Sequence, residues 1–236
     1  MEELDRQLYA LAYTVGAFLG DGNLHAYTAV KNGKRYPLQV VQFGTEDKDM
    51  LEVVQEEIEQ EFGPKYAIFP IRLKSGSEFW RMNVYRRDIF DFLAVNTYNR
   101  AAIPQIYFSA PSVIKRQLIC GLMDSDGHIT SRTMPSIRWE VGFGNTNYAL
   151  TAGVASLLRS LGVKVGKIGT YQKGEYRVMY RIHPNMRSFA EAGPFFQVRR
   201  KAKKLERCIS YLSGSETIHA APVTSGEDMV QPEVKA

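Results

Sequence analysis

The stretch Leu118-Ile-Cys-Gly-Leu-Met-Asp-Ser-Asp-Gly-His128 has already occurred once, more loosely, at Tyr13-Thr-Val-Gly-Ala-Phe-Leu-Gly-Asp-Gly-Asn23. A shift of 105 positions lays Gly16 on Gly121, Gly20 on Ser125, Asp21 on Asp126 and Gly22 on Gly127. Self-similarity of this kind makes the chain a duplicated unit, a stronger constraint than any local propensity. In each copy an apolar helical run ends in a small residue, Asp and Gly. Small residues four apart (Ala12, Gly16 and Gly20; then Gly121 and Ser125) form a narrow stripe that lets two helices meet almost backbone to backbone. Helices packed in that way bring Asp21 and Asp126 together at a pseudo-twofold axis, beside the free carbonyls and negative dipole end of each helix. Like charges so placed raise each other's pKa unless a cation intervenes, and an acidic, oxygen-lined site suits Mg²⁺.

The pattern around each motif has the same order. Apolar residues recur at helical spacing through Leu8, Leu11, Val15 and Phe18 or Leu19 and stop at Gly20 and Gly22. Strand-like runs at 25–30 and 36–43 flank Lys31-Asn-Gly-Lys-Arg35, the strongest short hairpin signal available. An amphipathic helix over 47–62 is closed by Gly63-Pro64, and strands at 66–74 and 78–85 and a helix at 87–95 complete the unit. The second unit repeats it: helix 113–125, strands 127–133 and 137–144, helix 148–161, strands 163–171 and 175–182, helix 185–192, then a basic helix over 198–212. The expected class is α+β, with α-β-β-α-β-β-α units at 1–102 and 113–212, a connector at 103–112 and a disordered tail from 213.

Residues 14–22 and 119–127 resemble the two motifs of a monomeric LAGLIDADG homing endonuclease. The second copy is the closer match: at the sixth motif position it has Asp124 where the first has Leu19, a difference that touches helix-end capping, while the penultimate acid is present in both. The resemblance implies two antiparallel four-stranded sheets forming a saddle on double-stranded DNA. It implies site-specific hydrolysis of both strands at a long pseudo-palindromic target, with short 3′ overhangs. Asp21 and Asp126, with the backbone carbonyls of Gly20 and Ser125, would hold Mg²⁺; Mn²⁺ would substitute, and Ca²⁺ would bind without supporting cleavage. Family members also use a polar residue past the second strand and a basic residue after the third helix to order solvent. The nearest matches are Thr45 and Asn145, and Arg100 and Arg199, with Lys201 competing with Arg199.

A single Asp-Gly is more often a turn than a ligand, so the weight rests on two at equivalent positions. Asp124-Ser-Asp-Gly begins like a calcium loop, but no properly spaced glutamate completes it. In the second hairpin Trp139, Val141 and Phe143 alternate with Arg138 and Glu140, giving the strand an apolar and a polar face. On the saddle arrangement the residues expected to read bases are His25, Tyr27, Gln42, Arg72, Lys74, Arg81, Thr130, Arg132, Arg138, Glu140 and Arg177. Lys31, Lys34 and Arg35 at the hairpin tip are expected on phosphates.

Charge agrees with a polyanionic partner. The formal charge is +5, but Glu216, Glu227, Asp228 and Glu233 against Lys235 put −3 on the last stretch, which leaves +8 on residues 1–212. Two cysteines, Cys120 and Cys208, form no metal or disulfide spacing and indicate a reducing compartment. The longest apolar run, 8–20, is too short to span a bilayer and lacks a signal-peptide flank, so the expectation is a soluble, intracellular protein, and the family resemblance implies a monomer. Two rivals share the fold: a maturase that binds intron RNA, and a DNA-binding regulator that has lost catalysis. Retention of both acids favours the enzyme. An intein-embedded nuclease is disfavoured because the chain starts with Met at the motif helix and lacks terminal splicing residues.

Overall fold

The first helical run bends at Leu11, whose ψ of 24° interrupts regular geometry between α1 (Glu3–Ala10) and α2 (Ala12–Asp21). In this computed structural model, which describes residues 3–73, 76–132, 138–172 and 174–214, every residue of α2 from Ala12 to Gly20 is buried. A helix apolar on all sides has to lie inside the protein, and α2 packs on α6 (Ser112–Ser125) at the centre of the molecule.

Around this pair the elements follow the expected order. After α2 come β1 (Asn23–Lys31) and β2 (Lys34–Thr45), then α3 (Lys48–Phe62), β3 (Ile68–Arg72), β4 (Glu78–Val84) and α4 (Arg87–Asn96). Asn32 (φ 52°) and Gly33 (φ 74°) both take the left-handed conformation, as a two-residue hairpin turn whose twist matches its strands requires. The connector contains one helical turn, α5 (Ile106–Ser109), and buries Ile103 and Tyr107 in the core. The second half contains α6, β5 (Gly127–Arg132), β6 (Arg138–Asn145), α7 (Tyr148–Ser160), β7 (Gly169–Tyr171), β8 (Met179–Ile182), α8 (Met186–Ala192) and α9 (Arg199–Leu212).

The strands form two antiparallel four-stranded sheets of identical order, β1-β2-β4-β3 and β5-β6-β8-β7. Helices cover one face of each, where Val41, Phe43, Met82 and Val84 in the first and Ile129, Val141, Phe143 and Ile182 in the second are buried. The opposite faces carry most of the polar side chains, so alternation along the strands sorts core from solvent.

The seam between α2 and α6 depends on glycine. A Cβ on Gly16 would lie 2.1 Å from the Leu118 carbonyl oxygen, and one on Gly121 would lie 2.1 Å from that of Tyr13. Gly16 and Gly121 are equivalent under the repeat, as are Tyr13 and Leu118, so the two contacts are one contact seen twice across the pseudo-twofold.

The third and fourth strands of the second sheet are shorter than the periodicity predicts. Residues 163–165 do not join β7, because the Lys164 N–H donates to Ser188 Oγ and the Lys164 carbonyl accepts from the Asn185 N–H, both at the start of α8. Arg177, expected on a strand, stands exposed in the loop before β8. Lys74, the side chains of Lys31 and Arg132, and the tail from 215 lie outside the described residues. Among the described residues no helix is long and apolar enough to cross a membrane.

Candidate functional site

The two motif acids converge where α2 and α6 end. A Cβ built on Gly20 would lie 1.9 Å from Ser125 Oγ and 3.4 Å from Asp126 Oδ2, so only glycine lets the helix ends close up here. Burial, and after it the charge of Asp126, raises the Asp21 pKa to about 6. Burial also raises that of Asp126, against the hydrogen bond from Asn145 and the charges of Arg100 and Lys201. The protein thus keeps two desolvated carboxylates at the negative ends of two helices.

Each helix end is capped by one cation. Arg100 donates to the carbonyls of Leu19 (3.2 Å) and Gly20. It follows Tyr98 and Asn99 in a run of three left-handed residues (φ 50°, 53° and 70°), a strained turn that aims the guanidinium inward. On the other side Lys201 Nζ donates to the carbonyls of Met123 (3.0 Å), Asp124 (2.5 Å) and Gly127 (2.8 Å). Lys201, rather than Arg199, is therefore the counterpart of Arg100. Arg199 sits at the first turn of α9, its N–H bonded to Asp49 Oδ2 at 2.6 Å, in a patch with Glu46 and Glu52. Two residues are about half a helical turn, so Arg199 and Lys201 point to opposite sides of α9, and the buried side carries Lys201, Leu205 and Cys208.

Thr45 and Asn145 occupy matching places at the ends of β2 and β6. Thr45 Oγ1 accepts the Asp47 N–H (3.1 Å), and Asn145 Oδ1 accepts the Asn147 N–H (2.8 Å). Asn145 also donates to Asp126 Oδ2 at 2.6 Å. A cleft of about 460 Å³ opens beside the centre, lined among others by Asp21, Thr45, Arg81, Ser125 and Lys201. Arg81 Nε is buried there with no hydrogen-bond partner among the described residues.

The mismatch at the sixth motif position has a structural counterpart. Asp124 Oδ2 accepts from Tyr13 Oη (2.8 Å) and from the N–H groups of Gln197 (2.9 Å) and Val198 (3.1 Å), which ties α6 to α2 and to the start of α9. In the first copy Leu19 and Leu118 replace that acid and that tyrosine, and both are buried. An apolar pair stands where the other half has a polar one, and Arg100 alone caps the helix end.

Cross-strand pairing shows which side chains share the uncovered faces. Gln42, His25 and Tyr27 lie on one face of β1 and β2, and Arg81 joins them through its pairing with Gly44. Thr130 and Arg138 share the corresponding face of the second sheet with Glu140. Arg72 differs: it pairs with Glu78 in the set that contains Ile68 and Met82, opposite to Arg81. A one-residue difference in parity reverses a strand side chain. Lys34 and Arg35 are exposed at the tip of the first hairpin. Arg181, stacked 4.2 Å over the Tyr171 ring, and His128 belong to the second face and were not among the expected residues. Strand parity would have found both.

Residues 114–194 match a family model described as a LAGLIDADG-like domain. No curated protein matches the sequence. The solved homing endonuclease I-DmoI aligns over 87% of this chain and 100% of its own, with 17% identity and a TM-score of 0.57. I-DmoI has also been solved in complex with DNA and Ca and with DNA and Mn. The LAGLIDADG homing endonuclease I-GzeII, in complex with its DNA target, aligns over 86% of this chain and 91% of its own, with 11% identity and a TM-score of 0.57. Meganuclease I-SmaMI, bound to uncleaveable DNA, covers 86% and 89% with 12% identity and a TM-score of 0.52. At these identities the likeness is one of fold: the chain has the architecture of the single-chain, two-motif LAGLIDADG homing endonucleases.

Proposed function

We propose that this protein is a divalent-metal-dependent, site-specific endonuclease that hydrolyses one phosphodiester in each strand of duplex DNA, acting as a single chain. The observation that carries the reading is the pair of partly buried carboxylates, Asp21 and Asp126, held at converging helix ends with no ion pair to either among the described residues. Two carboxylates beside main-chain carbonyls are an all-oxygen donor set, which fits Mg²⁺ and leaves thiophilic metals disfavoured. Asp21, Asp126 and the carbonyl of Ser125 would hold the metal, together with that of Gly20, whose oxygen also accepts from Arg100. When bound, the metal lowers the pKa of an attacking water and offsets charge on the phosphate and the leaving 3′ oxygen.

The chain's own residues prepare that chemistry. Asn145 fixes one oxygen of Asp126, and Thr45 stands at the equivalent place in the other half, within reach of solvent in the cleft. Arg100 and Lys201 hold the two helix ends and would add positive charge beside the bound phosphate. Arg199 takes no part on this reading. The uncovered sheet faces would lie in the major groove, with His25, Tyr27, Gln42, Arg81, Thr130, Arg138, Glu140 and Arg181 toward base edges and Lys34 and Arg35 on phosphates. Short 3′ overhangs, replacement of Mg²⁺ by Mn²⁺, and binding without cleavage in Ca²⁺ are expected from the family resemblance.

The test is selection from a randomised duplex library with the purified full chain, in Mg²⁺ and in Ca²⁺. Recovery of one long site, cut in Mg²⁺ and only bound in Ca²⁺, supports the reading. Tight binding of one site with no cutting in Mg²⁺ or Mn²⁺ would replace it with a DNA-binding regulator.

A further inference from the structure

The second sheet carries a cluster with a chemistry different from that of the carboxylate pair. His128 on β5, Glu140 on β6 and His183 just after β8 each offer one ligand atom, and these atoms all lie within 4.8 Å of one another. Two neighbouring strands and the residue that follows a third therefore supply one group each, on the face turned away from the helices. His183 Nδ1 is 2.9 Å from Glu140 Oε1, and the two imidazoles stand edge to face with centroids 6.4 Å apart. The seat of His128 is specific to its neighbour. It pairs with Gly142, where a Cβ would lie 2.4 Å from the His128 Cε1 atom, so the ring occupies the space that a side chain at 142 would fill.

We propose that His128, Glu140 and His183 bind one divalent transition-metal ion, of the Zn²⁺, Co²⁺ or Ni²⁺ class. An ordinary ion pair between His183 and Glu140 would not need His128 turned toward the same point. Two imidazoles and a carboxylate form a borderline nitrogen and oxygen donor set, which favours these ions over Mg²⁺. Ligand bonds of about 2.0–2.1 Å in a tetrahedron need donors about 3.3 Å apart. The Glu140 and His183 atoms, at 2.9 Å, lie a few tenths of an ångström inside that spacing, and His183 is half exposed and free to adjust. Three protein ligands leave the fourth position open toward solvent, as in catalytic rather than structural zinc sites. With neutral imidazoles the cluster carries −1 without the ion and +1 with it, which reverses the local charge on that face. The proposal does not depend on the nuclease reading, because the ligands are separate from Asp21 and Asp126.

The experiment uses the full-length chain carrying both Asp21→Asn and Asp126→Asn, so that the carboxylate pair contributes nothing. Zn²⁺ stoichiometry is measured by equilibrium dialysis in millimolar Mg²⁺, and Co²⁺ geometry by visible absorption. The expected result is one Zn²⁺ per chain, a tetrahedral Co²⁺ spectrum removed by Zn²⁺, and affinity weakened about tenfold or more by His128→Gln and by His183→Gln. Far-UV circular dichroism confirms that each variant is folded, and Glu140→Gln supplies a third, independent ligand change. Failure of the parent to bind one Zn²⁺ per chain, or undiminished binding in folded His128→Gln and His183→Gln chains, would overturn the proposal.

Discussion

Glu57 shows at a single residue how burial and hydrogen bonding compete. Its carboxylate accepts the Thr14 N–H at 2.8 Å at the first turn of α2, yet burial outweighs that bond and raises its pKa from 4.5 to about 7. A carboxyl whose pKa is higher folded than unfolded holds its proton more tightly in the folded state. Stability from this group is therefore fully present below pH 4.5 and lost as pH rises toward 7. The shift corresponds to about 3 kcal/mol. Glu57→Gln keeps an acceptor and removes the charge, so unfolding free energy at pH 8 should rise by up to about that amount and its slope between pH 5 and 7 should flatten. Urea unfolding across this range checks it, and an unchanged slope would count against the assignment. Asp21 follows the same logic with a functional twist. Removing one of two partly buried like charges by Asp21→Asn should leave the metal-free protein at least as stable at pH 8 by thermal melting while abolishing cleavage, the trade-off expected of the proposed ion site.

The element that fixes everything else is the α2–α6 pair, and its glycines are the sensitive points. Gly16→Ala gains about 1 kcal/mol of helix propensity. Against this, the new methyl would meet a main-chain oxygen at 2.1 Å, which no rotamer change relieves, and the helices must separate. The clash should win, with a net loss of about 2–4 kcal/mol, and Gly121→Ala should behave alike by symmetry. Denaturant unfolding measures both, and a neutral Gly16→Ala would contradict the close seam. Much of this element was legible in the sequence, because small residues four apart and a terminal Asp-Gly are local patterns that repeat. The hairpins were equally legible from Asn32-Gly33 and from strand alternation. Features set by distant contacts were not. Lys201 rather than Arg199 faces the helix end because the buried side of α9 is set by tertiary contacts, and residues 163–165 leave the sheet because α8 takes their hydrogen bonds. Arg72 lies opposite to Arg81 because the β3–β4 register, invisible locally, decides its face.

Across the whole chain, duplication places both acids, both caps and both sheets in one polypeptide, so on the proposed function a single copy would suffice for both strands. Residues 1–212 carry a formal charge of +8, and DNA affinity on the proposed function should fall linearly with salt on a logarithmic plot. Lys34→Ala with Arg35→Ala removes the two phosphate contacts proposed at one hairpin tip. The slope should then shrink by about 2 while site preference is retained. Fluorescence anisotropy over a salt series measures it, and an unchanged slope would remove the hairpin tip from the interface. The central claim is that Asp21 and Asp126 together form one hydrolytic centre. The most direct measurement is cleavage of a selected duplex, labelled separately on each strand, by the parent chain, Asp21→Asn and Asp126→Asn in Mg²⁺. The parent should cut both strands, and either substitution should abolish double-strand cleavage while binding in Ca²⁺ persists. Cutting of both strands at the parent rate by either variant would contradict it.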